Sequence, residues 1–454
     1  MTATYASSVG MGALQKAPEA FIPSALAQTI TQLGVNEERR GFLRTAFLGA
    51  AGSALALNAQ AQTLSPAGDP AILSLPKHSQ SLGNPVAMEG YGSPSKFEKN
   101  LQRRESPGLT QVGASSVSFA PLQGLFGIIT PNGLHFERHH QGWVDIDPTG
   151  HRLMVHGLVK KPLVFTMDEL MRLPSVSRMH FIECGANTGM EWGNAAVPTV
   201  QYTHGMLSCC EYTGVPLKLL LDMAGADLKR GKFMLAEGAD GASMTRTINL
   251  DSALNDTLVA WGMNGEMLRP ENGYPLRLVV PGVQGVSWVK YLRRLEVGDQ
   301  PFATKDEVIH YVDMMPDGIS CQYTSIQECK SVITSPSGGQ RLLKTGFYNI
   351  TGLAWSGRGT VKAVDISVDG GQNWRPARLE APLLSKCLSR FNFDWTWDGK
   401  PALIQSRARD STGYVQPKYG QLRAVRGTRS IYHNNAIQSW RINANGEVEN
   451  VHVA

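Results

Sequence analysis

Near Ser331 the chain changes its hydrophobic rhythm, and that change restricts it to two differently built domains. Before that point, strand-like apolar strings alternate with stretches of helical spacing. The strings are Leu153 to Leu158, Met179 to Ile182, Phe233 to Ala236, Leu276 to Val280 and Tyr291 to Val297. Met167 to Leu173 reads as a helix stopped by Pro174. Val215 to Ala224 reads as another, with Pro216 in its first turn, where a missing N–H and a fixed φ are tolerated. After Ser331 the helical pattern disappears. Ala363 to Val368 alternates, Asp369-Gly370-Gly371 supplies a hairpin turn, and Trp374 to Leu379 returns as the partner strand. Leu353 to Trp355, Phe391 to Trp397 and Leu403 to Arg407 add further short strands. The expectation is an α+β domain over residues 126–325, then an all-β immunoglobulin-like sandwich over 326–445.

The N-terminal region carries a different kind of information. Arg39-Arg40-Gly41-Phe42-Leu43-Arg44 and the uncharged stretch Thr45 to Leu57 have the form of a twin-arginine export signal. That stretch is too short for a bilayer span, which needs roughly 20 residues. Ala59-Gln60-Ala61 is a small-x-small cleavage pattern, so residues 1–61 are expected to be removed and the protein delivered folded to the periplasm. Proteins exported folded often carry a cofactor. Residues 62–125, rich in Ser, Pro, Gly and Ala, read as an extended N-terminal arm.

Several function classes are excluded by composition. A net charge of +5 over 454 residues, with no basic stripe, does not suit a nucleic-acid partner. No later segment is long and apolar enough for a membrane helix, so no membrane span is expected in the mature chain. Six cysteines in a chain this size do not make a disulfide framework. The patterns C-x-x-C-H, H-E-x-x-H and paired C-x-x-C are absent from the sequence, so no haem attached to this chain and no common zinc site are expected.

Cys184 stands between an apolar strand and the turn Gly185-Ala186-Asn187, where the backbone can present a single thiolate. A thiolate is a soft, strongly donating metal ligand. Cys209 and Cys210, on an apolar stretch, read as packing residues. Four separated motifs then fall into order. They are Phe136-Glu137-Arg138-His139-His140, Cys184-Gly185-Ala186-Asn187, Glu237-Gly238-Ala239-Asp240, and Asn272-Gly273-Tyr274-Pro275-Leu276-Arg277 continuing to Trp288-Val289-Lys290. With the β-domain behind them, they resemble the molybdopterin-dependent sulfite oxidase family over about residues 130–440, and within it the sulfane (sulfite) dehydrogenase branch.

The resemblance implies a molybdopterin molybdenum cofactor with Cys184 as the metal ligand. It implies a catalytic Arg138, whose guanidinium can hold a sulfur–oxygen anion through paired hydrogen bonds. It also implies that His139, His140, Asp240, Asn272, Arg277, Trp288, Val289 and Lys290 hold the pterin and its phosphate. His139 stands where many relatives have Asn, and Asn272 where animal relatives have His. Tyr311 and Arg441 complete the implied substrate pocket. Gly189 stands where animal sulfite oxidases carry a second pocket arginine, and Tyr202 where they carry a tryptophan, which favours a substrate larger than free sulfite. The implied reaction is two-electron oxidation at sulfur, with electrons leaving to a c-type cytochrome subunit. A sulfur-carrier protein is the implied bearer of substrate, and the sandwich is expected to pair protomers into a homodimer within a heterotetramer. Alternatives are a free-sulfite dehydrogenase and a molybdopterin reductase of oxidised sulfur groups. Outside the family stand a cysteine hydrolase using Cys184 and His140 and a non-catalytic binding protein.

Overall fold

A computed structural model describes residues 82, 90–105, 112–322, 326–427 and 432–453. The expected twin-arginine signal lies outside the described residues. The stretch ending at Lys99 and the body from Asn100 onward are separate units. In the first, a 3-10 turn Lys96–Glu98 is capped by Ser95, whose hydroxyl accepts the Phe97 N–H at 3.3 Å.

The body is an α+β domain followed by a β-sandwich. In the first domain one sheet runs Glu266–Met267, Leu258–Met263, Leu207–Pro216, Val176–Glu183, with Arg277–Val279 pairing to the second of these. A second runs Leu163–Thr166, Arg152–Gly157, Leu292–Gly298, Phe233–Gly238, Thr245–Asn249. Its Arg152–Gly157 and Leu292–Gly298 strands are parallel, the other pairs antiparallel. Among the described residues the β-domain has two sheets. One orders Lys330–Ser335, Gly346–Trp355, Ser389–Trp397 and Arg378–Leu379; the other Arg375–Pro376, Val361–Ser367, Ala402–Asp410, Ser439–Ile442 and Val448–Val451. Large buried side chains from both domains, among them Trp288, Tyr212, Trp355 and Trp440, join one continuous apolar core.

Local chemistry explains the helices. Met167–Met171 starts at Thr166, whose hydroxyl accepts the Glu169 N–H while the Glu169 carboxylate accepts the Thr166 N–H. The expected helix from Val215 is shorter than its apolar spacing suggested. Residues 215 and 216 finish a strand, because Val215 pairs with Val259 and Pro216 with Leu258. The helix is Leu217–Ala224, closed by Gly225 at a φ of 65°.

Part of the arm expected over 62–125 is built into the body itself. Val117–Phe119 is the middle strand of a small sheet, with Arg104–Glu105 on one side and Glu137–Arg138 on the other. Its Val117 sits opposite Arg138, so the arm holds a functional candidate in register. Cys209 and Cys210 are fully buried, as packing residues should be, and all six cysteines are free. Cys209 Sγ lies 3.4 Å from Cys387 Sγ of the β-domain.

Candidate active site

The strand Val176–Glu183 ends at Cys184, and the backbone then folds into a tight loop. Cys184 N–H donates to the Met206 carbonyl at 3.0 Å, and Asn187 N–H to the Cys184 carbonyl at 2.9 Å. The Asn187 side chain closes the turn. Its amide donates to Glu183 Oε1 at 2.9 Å and to the His204 carbonyl at 3.1 Å, and its oxygen accepts the Met206 N–H at 3.2 Å. Glycine at 185 leaves room for the Gln284 side-chain oxygen, which a Cβ there would push aside.

The β-domain locks the same loop from the other side. Lys330, almost wholly buried, places its ammonium 2.9 Å from Glu183 Oε1 and 2.6 Å from the Thr188 hydroxyl. Trp355 Nε1–H donates to Glu183 Oε2 at 2.8 Å. His433 N–H donates to the Gly185 carbonyl at 2.7 Å, and Asn434 Nδ2–H to the Thr188 carbonyl at 3.2 Å. Thr188 is held at a φ of 67°, unusual for a β-branched residue. The carboxylate beside Cys184 is therefore compensated by a lysine from the other domain, and a thiol is presented on a loop with little freedom.

Cys184 opens into a cleft of about 740 Å³, counting its open mouth. Of the residues expected in the site, the cleft brings together Cys184, Arg138, His139, His140, Asp240, Asn272, Arg277, Trp288, Val289, Lys290 and Tyr311. Arg441 is not brought there. It lies exposed on the strand Ser439–Ile442, opposite Leu403 and Glu449, because strand alternation buries its neighbours Trp440 and Ile442 instead. Nor do Gly189 and Tyr202 line the cleft; Tyr202 packs edge-on against Phe119 at 5.5 Å.

One end of the cleft is rich in donors and in acceptors without partners. Arg277 is buried, with Nη1–H donating to the Asn272 carbonyl at 3.0 Å and Nη2–H to the Trp288 carbonyl at 3.2 Å. Its Nε, together with Asp240 Oδ1, Asn272 Oδ1 and His135 Nε2, is buried without a hydrogen-bond partner among the described residues. The His135 Nδ1 contacts the Phe136 carbonyl at 2.6 Å, which makes the neutral ring's Nε2 an acceptor. Lys290 sits between, its ammonium 2.8 Å from His139 Nδ1 and donating to the Glu271 carbonyl at 3.2 Å and the Arg138 carbonyl at 3.3 Å. Such a set of unmet donors and acceptors fits a flat, polar heterocycle bearing an anionic group.

Electrostatics sharpen this picture. Burial, then the charge of Arg277, pushes Lys290 down to about 7. Burial, then nearby Arg277, takes His135 to about 3, and burial with Arg138 does the same to His140, so both rings are neutral. Burial also raises the Cys184 thiol, against the opposing pull of the Ala186 N–H and Arg138. A bound metal cation would deprotonate such a thiol outright. No three His, Cys, Asp or Glu side chains converge as a metal site among the described residues. A metal at Cys184 would need to bring other ligands with it, as a cofactor-borne metal does.

The other end holds Arg138, His140 and Tyr311. Arg138 Nη1–H donates to the His139 carbonyl. The Tyr311 hydroxyl is 3.4 Å from His140 Nε2, and burial raises its phenol well above the usual range. Beyond them lies an adjoining half-open chamber of about 720 Å³, counting its open mouth, that shares Arg138, His140, Met244 and Tyr311 with the cleft. Tyr432, which the sequence did not single out, enters that chamber and stacks on Tyr311 with ring centroids 4.9 Å apart. His135, Glu183 and Lys330 were also missed. The chemistry of Glu183 was adjacent to a recognised motif, but Lys330 lies 147 residues away and no local pattern marks it.

Comparison with known proteins agrees with this architecture. Residues 140–305 match the model of the oxidoreductase molybdopterin binding domain, and residues 323–440 that of the Mo-co oxidoreductase dimerisation domain. The chain belongs to the sulfite-oxidase-type molybdopterin oxidoreductases. Among solved structures it is similar to the sulfane dehydrogenase SoxCD from Paracoccus pantotrophus, at 46% identity and a TM-score of 0.83, covering 85% of this chain and 100% of that one. Mitochondrial sulfite oxidase of Mus musculus is 33% identical over 320 residues, 64% of this chain and 58% of that protein. The NADPH nitrate reductase of Phytophthora infestans is 29% identical over 313 residues, 61% of this chain. The chain spans only about a third of that reductase, 34% of its length.

Proposed function

We propose that this protein is a molybdenum-dependent dehydrogenase that oxidises sulfane sulfur or sulfite presented by a carrier protein, in the periplasm, and passes the electrons to a c-type cytochrome. The observation that carries this reading is the cleft itself, where one thiol, a set of unmet pterin-type partners and an arginine–tyrosine pair converge. The full-length likeness to a sulfane dehydrogenase supports the sulfur substrate.

In this reading the Cys184 sulfur holds the metal. Asp240 and Asn272 accept from pterin N–H groups, while Arg277 and Lys290 face its phosphate, with His139 and His140 beside them and the backbone at Trp288 and Val289 along one wall. When bound, the cofactor supplies two-electron transfer of a water-derived oxygen to sulfur. Arg138 orients the anionic sulfur group, and Tyr311 donates a hydrogen bond to its oxygen. The chamber past Tyr311 leaves room for the arm on which a carrier would deliver sulfur. The β-domain pairs two protomers, and a cytochrome on each completes a heterotetramer.

Metal analysis with paired turnover assays tests the proposal. One molybdenum per chain is expected, with cytochrome c reduced faster by carrier-bound persulfide than by free sulfite. Absence of molybdenum would overturn the whole reading. Turnover of sulfite alone would replace it with a free-sulfite dehydrogenase, and electron flow only from donor to oxidised sulfur would make it a reductase.

A further inference from the structure

Arg246 is fully buried on the strand Thr245–Asn249, and none of its three guanidinium nitrogens has a hydrogen-bond partner among the described residues. Its ion-pair partner is distant, with Glu307 Oε1 3.7 Å from Nε. That carboxylate is committed elsewhere. Its Oε1 accepts the Thr247 N–H at 2.8 Å, and its Oε2 the Thr247 hydroxyl at 2.9 Å and the Thr304 N–H at 3.3 Å. What the guanidinium faces is an aromatic ring, Tyr311, 4.9 Å from its centroid. The same ring carries Tyr432 against it at 4.9 Å, tilted by 31°.

A buried arginine with unmet donors is costly to keep, and its counter-charge Glu307 is buried with it, so an arginine held here needs a reason beyond packing. The attraction between a cation and a ring face is strongest where both are desolvated, as here. The ring so held belongs to the residue whose hydroxyl enters the cleft beside His140. Nothing in the motifs around Cys184 or Lys290 requires Arg246.

We propose that Arg246 is a positioning residue of the sulfur end: its guanidinium, with Tyr432, clamps the Tyr311 ring so that the phenol hydroxyl stays aimed into the cleft as a donor to the anionic substrate. This rests on the reading of the cleft as a site for oxidised or sulfane sulfur. A donor held in place before substrate arrives gains its advantage from not having to reorganise, and a misplacement of about 1 Å can cost on the order of 100-fold in rate.

The test compares Arg246→Met, Arg246→Lys, Tyr311→Phe and the double variant Arg246→Met/Tyr311→Phe as molybdenum-loaded full-length protein. Three quantities are read: molybdenum content, the dissociation constant of sulfate by calorimetry, and kcat/KM for sulfite and for a peptide persulfide. Molybdenum content should be unchanged throughout. Arg246→Met should weaken sulfate binding and lower kcat/KM by roughly tenfold, matching Tyr311→Phe, with no further loss in the double variant. Arg246→Lys, which keeps the cation, should fall between Arg246→Met and the wild type. Full retention in Arg246→Met, or losses that multiply in the double variant, would overturn the proposal. If the wild type oxidises neither substrate, the functional reading fails, and sulfate binding alone then decides the role of Arg246.

Discussion

The two ends of the cleft are built by different means. The end proposed for the pterin draws on Asp240, Asn272, Arg277, Trp288, Val289 and Lys290, which lie within about 50 residues of one another and fall in contiguous motifs. The end proposed for the sulfur substrate draws on the arm-held Arg138, on Tyr311, on Tyr432 beyond the β-domain strand Ala402–Asp410, and on Arg246 beneath them. Its rigidity comes from ring stacking and domain contacts rather than from a run of sequence. An end that would hold one fixed cofactor can be written as a motif. The end that meets the substrate is assembled where segments converge.

That contrast makes separable predictions. The largest effect belongs to Cys184, common to both ends: Cys184→Ser should abolish turnover, by at least about a thousandfold, and lower molybdenum content in the purified protein. Retained activity would remove the contrast together with its centre. Next comes the domain contact behind Cys184. Lys330→Met strands the buried Glu183 carboxylate and should cost about 3–5 kcal/mol of stability in denaturant unfolding. Adding Glu183→Gln should recover most of that loss, since no uncompensated charge then remains.

The ends themselves should respond in different currencies of measurement. Arg277→Ala should reduce pterin retention roughly 10–100-fold, the scale of lost supporting contacts at a metal site. Arg138→Ala should instead raise KM or lower kcat at unchanged molybdenum content. If either variant showed the other's pattern, the division of the cleft would be wrong.

A smaller effect is expected with pH. Lys290 titrates near 7 in the empty folded protein and near its ordinary 10.5 when unfolded. Between those values the unfolded chain binds the extra proton, so this lysine makes the empty protein more stable as pH rises through that window, and its burial penalty is complete below about 7. A phosphate beside it restores the charge. Cofactor binding at pH 8 should therefore take up close to one proton, measurable as buffer-dependent heat in calorimetry. The smallest effect is that of Arg441→Ala, an exposed strand residue, expected to change stability within about 0.5 kcal/mol and activity not at all.

Much of the fold was legible because alternation and turn chemistry are local. The Asp369-Gly370-Gly371 turn is one example: Gly370 and Gly371 have φ of 75° and 85°. Val215 was misassigned to a helix because its apolar spacing suits either state, and pairing with Val259 decided the matter. Arg441 was misplaced for a related reason. Position after a tryptophan near the C-terminus says nothing about which face of a strand a side chain takes, and Trp440 took the buried one. Arg246 and Lys330 carried no local signal at all, since what marks them is burial and partners far along the chain.

The clamps on the Cys184 loop also set an order in time. Its Thr188 is tied to Asn434, made 246 residues later in synthesis. At roughly 5–20 residues per second, a ribosome needs about 12–50 s to cover that span. For that interval the thiol is on a loop still lacking its far-side supports. The final placement of the thiol therefore waits on residues made late in the chain, although the motif that carries it is made early. Once residue 434 is in place, the loop is held like a drawer pushed home from behind, while the mouth of the cleft stays open.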